Sequence, residues 1–291
     1  MKKIGILLLV FVLTLSLAAC SGGGKSSGGG TNTPEQSSKE EITFTEQTVV
    51  DNEQCTIKIT GIEEDKFWGY SLKTYLENKS ADTTYMFSLE YAAINGVQVT
   101  SLFATEVAPG KKSNESISFL DDDLENITGN FTDIELSFRV YDSENWEADD
   151  VLNTAVHVYP YGEEKASKFV RESKPTDNVL VDNENITAII TGYTNDALFG
   201  YTANLFLVNK TDRALMFTAE DVSVNGYMAD PLFVVDVAAG KSTFTSMSWL
   251  ESDFEENGIT QVDSIELTLR AYESGNWTAD DVFKQTFTVN P

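Results

Sequence analysis

Apolar and polar residues alternate along many short segments of this chain. IELSFRVY (134–141) has apolar side chains at every second position, and IELTLRAY (265–272) follows the same pattern. The predicted inward positions are Ile134, Leu136, Phe138 and Val140 in one segment and Ile265, Leu267, Leu269 and Ala271 in the other. Period two indicates strands of a sheet with one buried face and one solvated face. Helical spacing is confined to LDDDLEN (120–126) and LESDFEEN (250–257). The pattern therefore predicts an all-β protein.

The strand pattern occurs twice in the chain, as an internal repeat. VVDNEQCTIKITG (49–61) matches LVDNENITAIITG (180–192), GYSLKTYLENKS (69–80) matches GYTANLFLVNKT (200–211), and the offset stays at 131 or 130. Each copy runs for about 110 residues, near the usual size of one domain. Seven or eight short strands in that length predict an antiparallel β-sandwich. We place the domains at 46–159 and 179–291, and expect 160–178 to be a linker with at most one short helical turn.

Turn residues occur at matching places in the two copies. Asn95-Gly96 and Asn225-Gly226 lie between strand-like runs, which predicts tight hairpins with positive φ. The turns APGK (108–111) and AAGK (238–241) also correspond. Together with VDNE…I…TG, GY…L.L.N.(S/T) and IEL…Y, these motifs resemble bacterial lipoproteins with telokin-like, immunoglobulin-type domains of unknown function. The resemblance implies two tandem immunoglobulin-like sandwiches at a cell surface and supplies no catalytic residue.

The amino terminus has the order of a lipoprotein signal. Lys2 and Lys3 precede an uncharged apolar run (4–19), too short for a usual membrane span, that ends Leu-Ala-Ala before Cys20. This resembles a lipobox, which implies removal of residues 1–19 and a diacylglyceryl group with further acylation, such as palmitate, on Cys20. Residues 20–45 are then a flexible Gly/Ser tether. The expected location is the extracytoplasmic face of the cell membrane, anchored in the lipid bilayer; the alternative is an ordinary secretory signal with an incidental cysteine.

The chain is strongly acidic. It carries 20 Lys and Arg against 46 Asp and Glu, a formal net charge of −26. Such a surface repels nucleic acid, so we exclude a DNA or RNA partner. The charge is explained by solubility alone, or by the binding of cations or of a basic partner.

Catalytic groups are scarce. His157 is the single histidine, and Val156 and Val158 take the inward positions on its strand, so we expect a lone surface residue. Cys55 shares a face with Ile57 and Ile59, and its counterpart in the second copy is an isoleucine, so we expect a core residue. We therefore predict a protein that is not an enzyme and uses no cofactor.

Calcium needs only oxygen ligands, and two acid pairs recur in the repeats. Asp149-Asp150 and Asp280-Asp281 are the candidates, although neither has the spacing of an EF-hand loop. The alternative is that they are solvated turn residues or helix caps. We predict no resident metal.

The acid pairs end the segments YDSENWEADD (141–150) and YESGNWTADD (272–281), which share seven of ten residues. Tyr141, Trp146, Tyr272 and Trp277 are candidate ligand contacts in these turns. We expect the two tryptophans to fold back and plug the ends of the sandwiches; the alternative is that they face outward. Trp249 corresponds to Phe119 and is predicted to be core, and Trp68 is assigned to core or rim.

These features favour a non-catalytic, membrane-anchored interaction or structural module. Its predicted partner is an envelope or extracellular protein or a glycan, with the chain attached to the bilayer through acylated Cys20. The alternative function is a carbohydrate-binding module that uses the loop aromatics.

Overall fold

The structure is a computed structural model that describes residues 42–65, 69–196 and 200–291. Strands dominate these residues, and the two α-helices, α1 (Asp121–Leu124) and α2 (Glu251–Glu256), are short. Neither of these helices has the length and apolar character needed to cross a membrane. Both helices lie within the two segments where helical spacing was predicted.

The first repeat forms two antiparallel layers. One layer has the strand order β1-β2-β3-β8-β6, and the other has the order β10-β9-β4-β5 with β7 also paired to β4. The strands are β1 (Gln47–Asp51), β2 (Cys55–Asp65), β3 (Gly69–Asn78), β4 (Tyr85–Ile94), β5 (Val97–Val99), β6 (Ser101–Leu102), β7 (Ala104–Val107), β8 (Lys112–Phe119), β9 (Ile134–Asp142) and β10 (Leu152–Val158).

The second repeat uses the same arrangement. One layer has the order β11-β12-β13-β17, and the other has the order β15-β14-β18-β19 with β16 also paired to β14. The strands are β11 (Asn178–Asp182), β12 (Ile186–Asp196), β13 (Gly200–Asn209), β14 (Leu215–Val224), β15 (Tyr227–Met228), β16 (Val234–Val237), β17 (Ser242–Trp249), β18 (Ile265–Glu273) and β19 (Phe283–Val289). The prediction of two tandem β-sandwiches is confirmed.

Each sandwich has its own core between its layers. In the first, Ile57 and Leu72 of one layer join Phe87 and Phe138 of the other in one fully buried cluster. The second cluster likewise joins residues of both layers, including Leu205 and Phe217. The inward positions predicted on β9 and β18 are all at most 1% exposed. Period-two alternation thus located the buried faces correctly.

The predicted hairpins are present. Asn95 and Gly96 have φ of 52° and 82°, and Asn225 and Gly226 have φ of 52° and 84°. Two successive positive φ values give the turn whose twist matches that of its strands, and asparagine and glycine tolerate them best.

The two sandwiches share one sheet. β5 of the first repeat pairs with β17 of the second in parallel, which joins one layer of each repeat into a nine-stranded sheet. The segment between the repeats contains a single 3-10 turn, Glu163–Lys165. Phe169 from this segment packs edge-on against Phe244 of β17, with ring centroids 5.9 Å apart. The segment therefore packs into the junction between the repeats.

Candidate functional site

The two tryptophan turns have the same backbone. In the first, the Ala148 amide donates to the Asn145 carbonyl at 3.1 Å, and in the second the Ala279 amide donates to Asn276 at 2.9 Å. Each turn connects the last two strands of its repeat. The duplicated sequence therefore produces a duplicated loop shape.

An arginine braces the first turn from the preceding strand. Arg139 of β9 donates from Nε to Asp150 Oδ1 at 2.8 Å. Its guanidinium carbon lies 4.4 Å from the centre of the Tyr141 ring, within the range of a cation–π contact. One guanidinium thus connects the first and last residues of the YDSENWEADD segment.

The second turn repeats this brace. Arg270 of β18 donates from Nε to Asp281 Oδ1 at 2.5 Å and lies 4.3 Å from the centre of the Tyr272 ring. The Nη2 atom also donates to the carbonyl of Trp277 at 3.4 Å. In both repeats the arginine covers one face of the tyrosine, so that face is not open to a ligand. The sequence carries a signal for this, because an arginine stands two residues before the tyrosine in both copies.

The tryptophans face outward. Trp146 is 65% exposed and Trp277 is 75% exposed, so the prediction that they plug the sandwich ends is wrong. Val151 and Val282, which follow the acid pairs, pack against the cores instead. The core is therefore covered at these ends without the indole rings. Trp249 is 0% exposed, as predicted for a core residue, and Trp68 lies outside the described residues.

The four aspartates that are calcium candidates have different surroundings within each pair. Asp150 and Asp281 form ion pairs with Arg139 and Arg270. Their sequence neighbours Asp149 and Asp280 are exposed. Among the described residues, no three His, Cys, Asp or Glu side chains are grouped so that they could hold a metal ion.

His157 has partners, so the expectation of a lone surface residue is wrong. Its Nδ1 lies 2.7 Å from Asp133 Oδ1, and its Nε2 lies 3.8 Å from Glu135 Oε2. The antiparallel register places His157 opposite Glu135, which sequence alternation alone does not reveal. The ring also stacks with Tyr159, with centroids 5.8 Å apart.

Glu135 lies at the contact between the repeats. Its Oε2 is 2.6 Å from Lys241 Nζ of the second repeat, and its Oε1 accepts a hydrogen bond from Tyr91 at 2.7 Å. Burial acts to raise the pKa of Glu135, but the hydrogen bonds from Lys241 and Tyr91 and the positive charge of Lys241 lower it below its ordinary value. The carboxylate is thus held in its charged form.

Cys55 is a core residue, as predicted. Its side chain is 0% exposed, and burial raises the pKa of the thiol to about 11. The thiol therefore stays protonated and poorly nucleophilic at neutral pH.

No family model matches this chain. No curated protein matches it either.

Among solved structures, a Salmonella enterica SafA pilin in complex with the SafB chaperone is 8% identical, covers 82% of this chain and 98% of its own, and has a TM-score of 0.23. The YadV chaperone is 12% identical over 81% of this chain and 100% of its own, with a TM-score of 0.22. A Porphyromonas gingivalis protein of unknown function is 10% identical over 76% of this chain and 89% of its own, with a TM-score of 0.20. The fold is therefore assigned from the layers and cores described above.

A cleft between the repeats was not predicted from the sequence. Its volume is about 760 Å³, and hydroxyl, amide and carboxyl side chains line most of it. Glu90, Asp122 and Asp123 supply the acidic groups, and Tyr91 and Phe244 supply aromatic surface. Its residues come from both repeats, so only the relative placement of the two sandwiches brings them together.

Proposed function

We propose that this protein is a non-catalytic, membrane-anchored cell-surface lipoprotein that acts as an interaction module through its two immunoglobulin-like domains. The domains span 46–159 and 179–291, the linker spans 160–178, and Cys20 carries the lipid after removal of residues 1–19. The observation that carries the proposal is the outward position of Trp146 and Trp277 on equivalent, braced turns.

Exposed indole rings are suited to binding a partner. An aromatic side chain buries 150–250 Å² when covered, so each ring offers on the order of 3 kcal/mol of gross stabilisation. Tryptophan is also enriched among the residues that dominate the energy of protein interfaces. Because the arginine braces hold both turns in one shape, little conformational entropy is lost when a partner covers them.

The surroundings of the rings favour a protein partner with basic groups. Glu144, Glu147 and Asp149 are exposed beside Trp146, and Asp280 is exposed near Trp277. A cationic side chain can contact the indole face and a carboxylate together. Both tyrosines are partly covered by arginine, so each turn offers a single open ring rather than a platform of several rings. This favours the protein partner over the alternative, a carbohydrate stacked on the loop aromatics.

Tryptophan emission tests the proposal. The full chain in detergent is titrated with an envelope protein fraction, and separately with a protease-treated envelope glycan fraction from the producing cells. We expect the protein fraction to shift the emission to shorter wavelength and the Trp146→Ala/Trp277→Ala variant to lose that shift. A response to the glycan fraction alone would select the carbohydrate alternative, and no response to either fraction would contradict the interaction site. Trp249 remains in the variant and reports that the fold is intact.

The anchor is tested separately, because Cys20 lies outside the described residues. Cys20→Ser should move the chain from the membrane fraction to the soluble fraction and abolish metabolic labelling with a palmitate analogue, since two acyl chains hold a protein stably on a bilayer. Protease added to intact cells lacking any outer barrier should digest the wild-type chain. A Cys20→Ser chain that stays on the membrane would rule out this anchor.

A further inference from the structure

The contact between the two repeats joins two different surfaces of the repeated unit. Val97 of β5 pairs with Ser242 of β17, and Gln98 pairs with Thr243. The Ser242 amide donates to the Gly96 carbonyl at 3.1 Å, and Thr243 Oγ1 donates to the Gln98 carbonyl at 3.2 Å. Because each repeat contains both surfaces, each surface occurs a second time in the chain.

The second copy of the β5 surface is β15. Tyr227 and Met228 stand at the positions of Val97 and Gln98, and within the described residues β15 pairs with β14 alone. Tyr227 is 51% exposed and Met228 is 66% exposed, whereas Val97 is 1% exposed. The edge that the first repeat buries against the second is therefore open on the second repeat.

The second copy of the β17 surface is the outer edge of β8. At one end of this edge Leu102 pairs with Ser118, just as Leu232 bridges to Ser248 on β17. At the other end, Lys112 and Ser113 stand where Ser242 and Thr243 receive β5, and no described strand pairs with them on this side. Ser113 retains the hydroxyl of Thr243.

The ion pair at the contact between the repeats also has a counterpart in the chain. Glu135 pairs with Lys241 across the junction at 2.6 Å. Their counterparts in the other repeat are Glu266 and Lys111, which have the same charges and are both exposed. The repeat with the open β15 edge therefore carries the acid, Glu266. The repeat with the open β8 edge carries the matching base, Lys111.

We propose that a second copy of this chain occupies these edges, with β15 of one chain paired in parallel with β8 of the next and Glu266 facing Lys111. The contact joins unlike surfaces, so it adds copies head to tail rather than closing a symmetric pair. It is weaker than the junction within the chain. There the Gln98 side chain donates to the Asp236 carbonyl at 2.8 Å and accepts from the Ala238 amide at 3.0 Å, and Met228 replaces these bonds with apolar contact.

Disulfide trapping tests this proposal, because paired strands hold facing Cα atoms within the 4.4–6.8 Å range of a disulfide. Met228→Cys and Ser113→Cys are introduced on separate full-length chains, which are oxidised alone and as a mixture. The positive control is Gln98→Cys with Thr243→Cys in one chain, which should close within a monomer. The wild-type chain, with Cys20 and Cys55, shows the background.

We expect a dimer from the mixture, monomers from each variant alone, and a ladder of oligomers when both cysteines are on one chain. Glu266→Lys should lower the dimer yield about threefold, as for an exposed ion pair, and adding Lys111→Glu should restore it. Dimers from Met228→Cys alone would show symmetric edge pairing and overturn the proposal. Absence of a dimer from the mixture, while the control closes, would overturn it as well.

Discussion

Lys241 of the second repeat lies 2.6 Å from Glu135 of the first, and their side chains are only 16% and 12% exposed. The pair sits beside the parallel β5–β17 contact. Lys241 belongs to the AAGK turn, so a turn residue of the repeated motif also contributes to the contact between the two sandwiches.

Lys241→Met should lower the free energy of unfolding by about 2–3 kcal/mol, because it leaves the Glu135 carboxylate buried beside Tyr91 without its cation. The matched control is Lys210→Met. Lys210 pairs with Asp182 at the same 2.6 Å, but these side chains are 34% and 62% exposed, so the loss should be below about 1 kcal/mol. Urea unfolding measures both variants, and equal losses would contradict a special role for the junction pair.

The linker contains a second ion pair, which predicts a pH dependence. Arg171 donates to both carboxylate oxygens of Asp177 at 2.7 and 2.6 Å, and the Lys174 amide donates at 2.8 Å. The Arg171 bonds and the Lys174 amide lower the pKa of Asp177 from 3.8 to about 2. A depressed folded-state pKa adds stability that is complete above the unfolded value and is lost as the pH falls through the folded one.

Wild-type stability should therefore fall by on the order of 1 kcal/mol more than that of Asp177→Asn between pH 5 and 2. Chemical unfolding at several pH values measures the difference between the two proteins. When both proteins also carry Arg171→Gln, the difference in stability between Asp177 and Asp177→Asn should change less with pH. A constant difference across this range would contradict the assigned pair.

Two tryptophans should respond differently to the same substitution. Trp249 is 0% exposed and donates from Nε1 to the Ala229 carbonyl at 2.9 Å, so Trp249→Ala should cost about 3–5 kcal/mol. Trp277→Ala should change the unfolding free energy by no more than about 0.5 kcal/mol, since the ring is 75% exposed. A large loss for Trp277→Ala would mean that its ring is packed in solution.

Cys55 should react slowly with a thiol reagent in the native protein. Its pKa of about 11 leaves little thiolate at neutral pH, and the side chain is fully buried. In the Cys20→Ser chain, where Cys55 is the remaining thiol, Ellman's reagent should react only when urea unfolds the first sandwich. Rapid labelling under native conditions would indicate local opening of β2.

The sequence predicts the layers of each sandwich well, because buried residues recur at every second position of a strand. Alternation on β9 and β18 identifies their inward residues, and the asparagine-glycine pairs identify the hairpins, since those residues tolerate positive φ. The pairing of β5 with β17 could not be predicted in this way. It involves two residue pairs, and the same positions in β15 have different side chains and no such partner among the described residues.

The candidate site was only partly accessible from sequence. The internal repeat identified Trp146 and Trp277 as candidates. Residues in a turn do not alternate between two faces as strand residues do, so the sequence does not show whether these rings point inward or outward. The expectation of a plug failed because Val151 and Val282 already cover the cores. Arg139 and Arg270 were missed although both copies contain them, because their role depends on contact with an acid eleven residues further along the chain.

The fixed junction has a consequence for selectivity. The pairing of β5 with β17 and the Arg171–Asp177 ion pair in the linker restrict the separation of the two indole rings. A partner with two contact points at that separation gains a high effective concentration for its second contact, and one with a different spacing gains none. If the two turns bind a partner as proposed, the duplication lets the chain discriminate between partners by the distance between their binding points, even where the individual contacts are alike.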